Sequence, residues 1–404
     1  MSKTIFFALA SCIMLHSCSN IIIQDLNEKL PEQEIINNRT ITEALTEAAK
    51  FINISPSKNS DISISYITNH DIHENKSRSQ SIKSDTIAYV INAPNNGFAI
   101  IAYNKSIKPI LAYSDMESFT LADKENNLAY KYFISRLPRY IEQKTNNTTY
   151  EQPTWQSVYV GPYIKFKSWN QRAPFSKYVE LNHSGSPTGC VPLACVRAMI
   201  YAKDYLKYDG LAALSNYNFA SIRAKLEAYP SNPPQEDDPT YIHWEPIIKN
   251  YNEATDSIAH FICDFVESIP MVNYTPNATG VSLALAAVRV QSLGYKLNVT
   301  GINTEPYNAE DMMDYLRFKK AILIMGGSGH CWTVEGGVYC LWPTPQPDKS
   351  KYFSTLFYCD WGWGGTNNGH YEGEVFNTEF GTYENLEYFA IFKDSILEIL
   401  PPKQ

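Results

Sequence analysis

Ser186-Pro187-Thr188-Gly189-Cys190-Val191-Pro192-Leu193-Ala194-Cys195 is the stretch on which the reading of this chain turns. Downstream of it Leu193, Val196, Met199 and Ile200 recur at helical spacing, with Ala194, Ala198 and Ala202 between them. Proline suits the first turn of a helix, so Pro192 marks a start rather than a break. Cys190 therefore stands at a helix N-terminus, where free backbone N–H groups and the helix dipole favour an anion. A thiol there is expected to titrate below its ordinary ~8.5 and to act as a nucleophile. Cys195, inside the same apolar pattern, reads as a buried core residue.

The C-terminal third has a different character. Ala321 to Met325 is a short apolar run, expected as a buried strand, leading into Gly326-Gly327-Ser328-Gly329-His330. Cys331 to Glu335 alternates as a second strand, with Gly336-Gly337 expected as its turn. Phe357 to Gly365 and Tyr388 to Phe392 complete a β-rich half. The chain thus divides chemistry between a helical half carrying Cys190 and a sheet half carrying His330. A thiol nucleophile needs a base beside it. His330 follows a glycine-rich turn 140 residues after Cys190, within the roughly 130–150 found in papain-like enzymes. His183, His243, His260 and His370 have no comparable setting. Cys331 should face away from His330, into core.

At 404 residues the chain exceeds the roughly 250–300 that one core usually serves, so two domains are expected. Lys3 and the apolar run Ile5 to Leu15 read as an export signal, too short to span a bilayer. Leu15-His16-Ser17-Cys18 resembles a bacterial lipobox, which would lipidate Cys18 and hold the protein at the cell envelope by that anchor alone; the alternative is an ordinary secretory signal with an incidental Cys18. Residues 1–17 are then the signal peptide. Ile41 to Ile52 is helical in spacing, and residues 55–84 read as a polar loop. Thr86 to Ile91 and Phe98 to Tyr103 form a hairpin around Pro94-Asn95-Asn96-Gly97. Pro109 to Tyr113 is extended, and Leu128 to Ile141 is a helix disturbed at Pro138. Residues 18–142 make a small α+β unit, 143–154 a polar linker, and 155–400 the second domain.

The formal net charge is −8, and no Lys/Arg cluster is present, which argues against nucleic acid as a partner. Of eight cysteines, six lie beyond Cys12 and Cys18, too few for a disulfide framework in a chain of this size. None has C-x-x-C spacing, so a structural zinc site is not expected; no cofactor is expected either.

Trp169-Asn170-Gln171, Thr188-Gly189-Cys190, Gly329-His330 and Asp360-Trp361-Gly362-Trp363-Gly364-Gly365, in this order, resemble the streptopain family of secreted bacterial cysteine peptidases. Upstream, Tyr89-Val90-Ile91, Gly97 to Ile101 and Pro109 to Ser114 resemble its inhibitory prodomain. The resemblance implies a papain-like α+β fold, protein or peptide substrates, and a prodomain that inhibits its own enzyme. It implies Cys190 as nucleophile and His330 as proton partner. It further implies Gln171 as an oxyanion-hole donor and an indole, of Trp361 or Trp363, shielding the histidine. Where the family commonly has Asn, this chain has Asp360, which could orient the imidazole or be an ordinary turn aspartate. An inactive peptide-binding relative and another Cys–His–Asp hydrolase, such as a cell-wall amidase, are the alternatives.

Overall fold

The computed structural model describes residues 37–54, 62–69, 86–93, 96–122, 128–147, 157–206, 217–230, 233–234, 237–298, 307–327, 329–341, 352–377 and 387–393. The export signal, Cys18 and residues 148–154 of the expected linker lie outside them.

Helix α1 (Ile41–Ala48) opens with a capping box between Thr40 and Glu43. Strand β1 (Ser63–Thr68) falls inside the stretch expected as loop, and it pairs antiparallel with β2 (Thr86–Ala93). The expected hairpin joins β2 to β3 (Gly97–Ala102), and β4 (Ile110–Ser114) follows. Helix α2 (Leu128–Tyr132), a 3-10 turn at Ile134–Arg136 and α3 (Leu137–Asn147) come next. Pro138 sits in the first turn of α3, where no backbone donor is needed, so it starts a helix instead of disturbing one. That helix also extends over Gln143 to Asn147, the beginning of the expected linker.

Beyond β5 (Ser157–Val160) the chain builds its helical half: α4 (Lys177–Asn182), α5 (Cys190–Ala202), α6 (Phe219–Glu227), α7 (Tyr241–Glu267) and α8 (Leu283–Ser292). Val191 to Ala202 are buried without a break, so α5 is a helix surrounded by protein. Short ribbons interleave: β6 (Tyr205–Leu206) with β7 (Tyr217–Asn218), and β8 (Asn273–Thr275) with β9 (Ala278–Gly280). After β10 (Leu297–Asn298) and α9 (Ala309–Lys319) the sheet half follows as β11 (Ile322–Gly327), β12 (His330–Leu341), β13 (Tyr352–Asp360), β14 (Gly369–Glu372) and β15 (Glu387–Ile391). Gly336-Gly337 is no turn: β12 runs straight through it with a bulge. A Cβ on Gly336 would lie 2.4 Å from the Val160 carbonyl oxygen, so the glycines let β5 and β13 approach.

The strands join in the order β1-β2-β3-β4-β14-β13-β12-β11-β15-β10, with β5 beside β12. The seam is β4 on β14, where Tyr113 pairs with His370 and Ala112 with Tyr371. N-terminal and C-terminal segments therefore share one sheet, which the sequence reading had as separate units. Alternation along β11 sorts the faces: Ile322 and Ile324 pack into the helical half, Leu323 and Met325 onto Tyr132, Phe133 and Leu137 of the N-terminal segment. Each large side chain so buried contributes roughly 1.5–3 kcal/mol, so this second face is a core in its own right.

Candidate active site

Gly189, at φ +80°, is the N-cap of α5, and a Cβ there would lie 2.6 Å from the Thr279 carbonyl oxygen. Only glycine fits this approach. Thr279 in turn donates its hydroxyl to the Pro187 carbonyl, which straps the β8–β9 ribbon onto the Cys190 loop. On the other side the Thr188 N–H donates to the Gln171 carbonyl at 3.0 Å, carrying the Gln171 segment to the same place. Cys190, Gln171 and His330 line one cavity of about 680 Å³.

The thiol of Cys190, a half-buried residue on the cavity wall, is pushed above its ordinary value. Burial is the chief cause, and it outweighs the N–H groups of Cys331, Val191 and Cys190, which favour the thiolate. This corrects the expectation of a lowered thiol: the helix terminus acts as argued, but enclosure wins. His330 is 7% exposed and held down at about 4. Burial again leads, the Trp361 carbonyl opposes it, and the charge of Lys131 adds to it. The shifts leave both the Cys190 thiol and the His330 imidazole neutral near pH 7.

His330 Nε2 lies 3.0 Å from the Trp361 carbonyl oxygen. A carbonyl can only accept, so Nε2 carries the proton and Nδ1 is left as the ring's acceptor. That contact does not go to Asp360. Its carboxylate accepts from Ser168 Oγ at 2.6 Å and from the Gly362 N–H at 2.9 Å, and it pairs with Arg197 at 3.2 Å. Asp360 thus holds the turn behind the histidine. Trp361 contributes its carbonyl, while its indole is buried on Trp332 and Tyr371. The rings beside His330 are Tyr132 at 5.9 Å and Trp332 at 6.3 Å. Trp363 is 41% exposed and lines the cavity. Trp332 was legible as the residue two beyond His330 on the same strand face. Tyr132 had no sequence signal, being nearly two hundred residues away.

Residues 169–371, half of the chain, match the profile described as the peptidase C10 family. The chain belongs to the peptidase C10 family. It is a cysteine-type peptidase of papain-like α+β fold, related to streptopain. Residues 34–152 match the Spi protease inhibitor profile, so the peptidase carries an inhibitor-type prodomain. Among solved structures it is similar to a fragment of Prevotella intermedia prointerpain A, at 16% identity and a TM-score of 0.48, covering 75% of this chain and 94% of that one. Active interpain A from the same organism, a cysteine protease, is similar at 16% identity and a TM-score of 0.35, covering 58% and 94%. No protein of curated function matches.

Proposed function

We propose that this peptidase is an exported endopeptidase made as a zymogen and working through Cys190 and His330. The observation that carries the reading is the shared cavity. It holds a thiol at a helix N-terminus and an imidazole whose Nε2–H is tied back, leaving Nδ1 to take the thiol proton. The sulfur then attacks a peptide carbonyl carbon. Gln171 and backbone N–H groups at the start of α5 stabilise the oxyanion. The imidazolium protonates the leaving amine, and water afterwards hydrolyses the thioester. Cys190→Ala and His330→Ala should each lose at least about 10⁴-fold in casein hydrolysis, while Cys195→Ala, with its buried thiol, should not. Activity surviving in Cys190→Ala would refute the assignment.

The prodomain closes the site in this reading. Tyr132 packs on His330, and Lys131 reaches the cavity wall. Cleavage within about residues 144–155 would release it. Cys18 is proposed to carry the lipid anchor. Palmitate label should enter the full-length protein and be lost in Cys18→Ser, and equal labelling of both would exclude the lipobox.

A further inference from the structure

Behind the cavity lies a charged cluster that the reaction itself does not use. Arg197 is on α5, seven residues and so two turns after Cys190, with its side chain 5% exposed. Its Nε donates to Glu335 Oε1 at 2.6 Å and its Nη2 to Glu335 Oε2 at 3.2 Å. The same Nη2 lies 3.2 Å from Asp360 Oδ2, and Nη1 donates to the Lys167 carbonyl at 3.0 Å. Thr333 donates a further bond to Glu335, at 2.8 Å.

Three pieces of the site meet here: the helix that begins with Cys190, the strand that begins with His330, and the residue before Trp361. A buried ion cluster is a poor source of stability, since desolvating the charges consumes most of what their attraction returns. Apolar residues of the same volume would serve a core as well. What the cluster supplies is geometry. Asp360 Oδ1 accepts from the Gly362 N–H, and Asn368 Oδ1 accepts from the Trp361 N–H at 3.0 Å. Ser168 joins the two supports, donating to Asp360 and accepting from Asn368 Nδ2 at 2.8 Å. The Trp361–Gly362 peptide is thereby clamped on both sides, and its carbonyl is what selects the His330 tautomer.

We propose that Arg197 is a positioning residue of this peptidase. Through Asp360 it fixes the Trp361 carbonyl, and through Glu335 the His330 strand, so that the imidazole presents an unprotonated Nδ1 in register with the Cys190 helix. The inference rests on the Cys190–His330 reading. It assigns the orienting task, one of the two roles left open for the Asp360 side chain, to a main-chain carbonyl held by a buried guanidinium.

The test is a neutral replacement, Arg197→Met with Glu335→Gln and Asp360→Asn, made in the full chain. Its unfolding midpoint should equal or exceed that of the wild type. Its kcat on casein-derived peptides should fall about 100-fold, the scale of a misplacement near 1 Å, with KM unchanged. In the same replacement made on Cys190→Ala, the ¹⁵N shifts of His330 should move from a pure Nε2–H tautomer to a mixture. If the triple variant does not fold, Ser168→Ala and Arg197→Lys decide. The first removes two supports of the clamp, and the second keeps the charge but loses the fork. Both should lower kcat several-fold and mix the tautomers. Wild-type kcat with an unmixed tautomer in the variants would overturn the proposal. Should Cys190→Ala itself hydrolyse casein, the reaction reading fails, and the tautomer measurement still judges the clamp.

Discussion

Cys190 and His330 face one cavity but are built by opposite means. The cysteine's place is set locally, by Gly189 before it, Pro192 after it and the turn of α5 that begins with it, although the Thr279 ribbon and Cys331 help enclose it. The histidine's surroundings are remote. Its acceptor is the Trp361 carbonyl, its covering ring is Tyr132, and its strand is held by Arg197 through Glu335. A nucleophile can be raised by one helix end, whereas a base of defined tautomer needs the whole fold. The histidine side should therefore be the more easily regulated of the two.

The largest expected effect breaks the remote side. Tyr132 is 1% exposed and packs on both His330 and Trp332, so Tyr132→Ala should cost the closed precursor about 3–5 kcal/mol, as buried aromatics do. Urea unfolding would show the loss, and faster conversion of the precursor would show its consequence. On the local side, Gly189→Ala brings a Cβ onto the Thr279 carbonyl, whereas Gly329→Ala meets nothing within 4 Å although its φ is +93°. Peptide hydrolysis should fall about 100-fold for the first and only a few-fold for the second. Equal losses would mean that strain alone, and not the ribbon contact, positions Cys190.

Acid should sharpen the comparison further. His330 sits at about 4, and His370, stacked on Tyr113 at 4.6 Å across the β4–β14 seam, at about 3. An exposed imidazole titrates near 6.5. Both histidines thus bind protons preferentially once the seam opens. The closed form is fully favoured above about pH 6.5 and loses ground from there down towards pH 4, by about 2 kcal/mol for His330 at pH 5. Precursor conversion should accordingly be faster at pH 5 than at pH 7.5, and His370→Gln should flatten part of that dependence. The smallest effect belongs to Lys131→Met, which should raise the His330 titration seen by NMR without altering the fold.

The same contrast explains what could be read from sequence. The α5 pattern, the β2–β3 hairpin and the glycine turn before His330 arise from neighbouring residues, and their periodicity and turn chemistry showed them. Strand β1 was missed because Ser63 to Thr68 lies in a polar setting and, among the described residues, pairs along β2 alone. Gly336-Gly337 was misread because a close strand crossing and a turn ask for the same residue. The raised thiol and the lowered imidazole escaped for a different reason. Both follow from enclosure by segments far away in the chain, which no local signal reports. Asp360 was left open between an orienting residue and a turn aspartate, and its partner Arg197, a lone charge in an apolar helix, carries no sequence signal that it meets Asp360.

The most direct measurement is the alkylation rate of Cys190 by iodoacetamide at pH 7.5, followed by peptide mapping while the precursor converts to the processed form. Cys190 should react slowly in the precursor, where its thiol is held above its ordinary value and His330 is neutral, and should react fast once residues up to about 150 have left, with the buried Cys195 unlabelled throughout. Equal rates at Cys190 before and after processing would contradict the account.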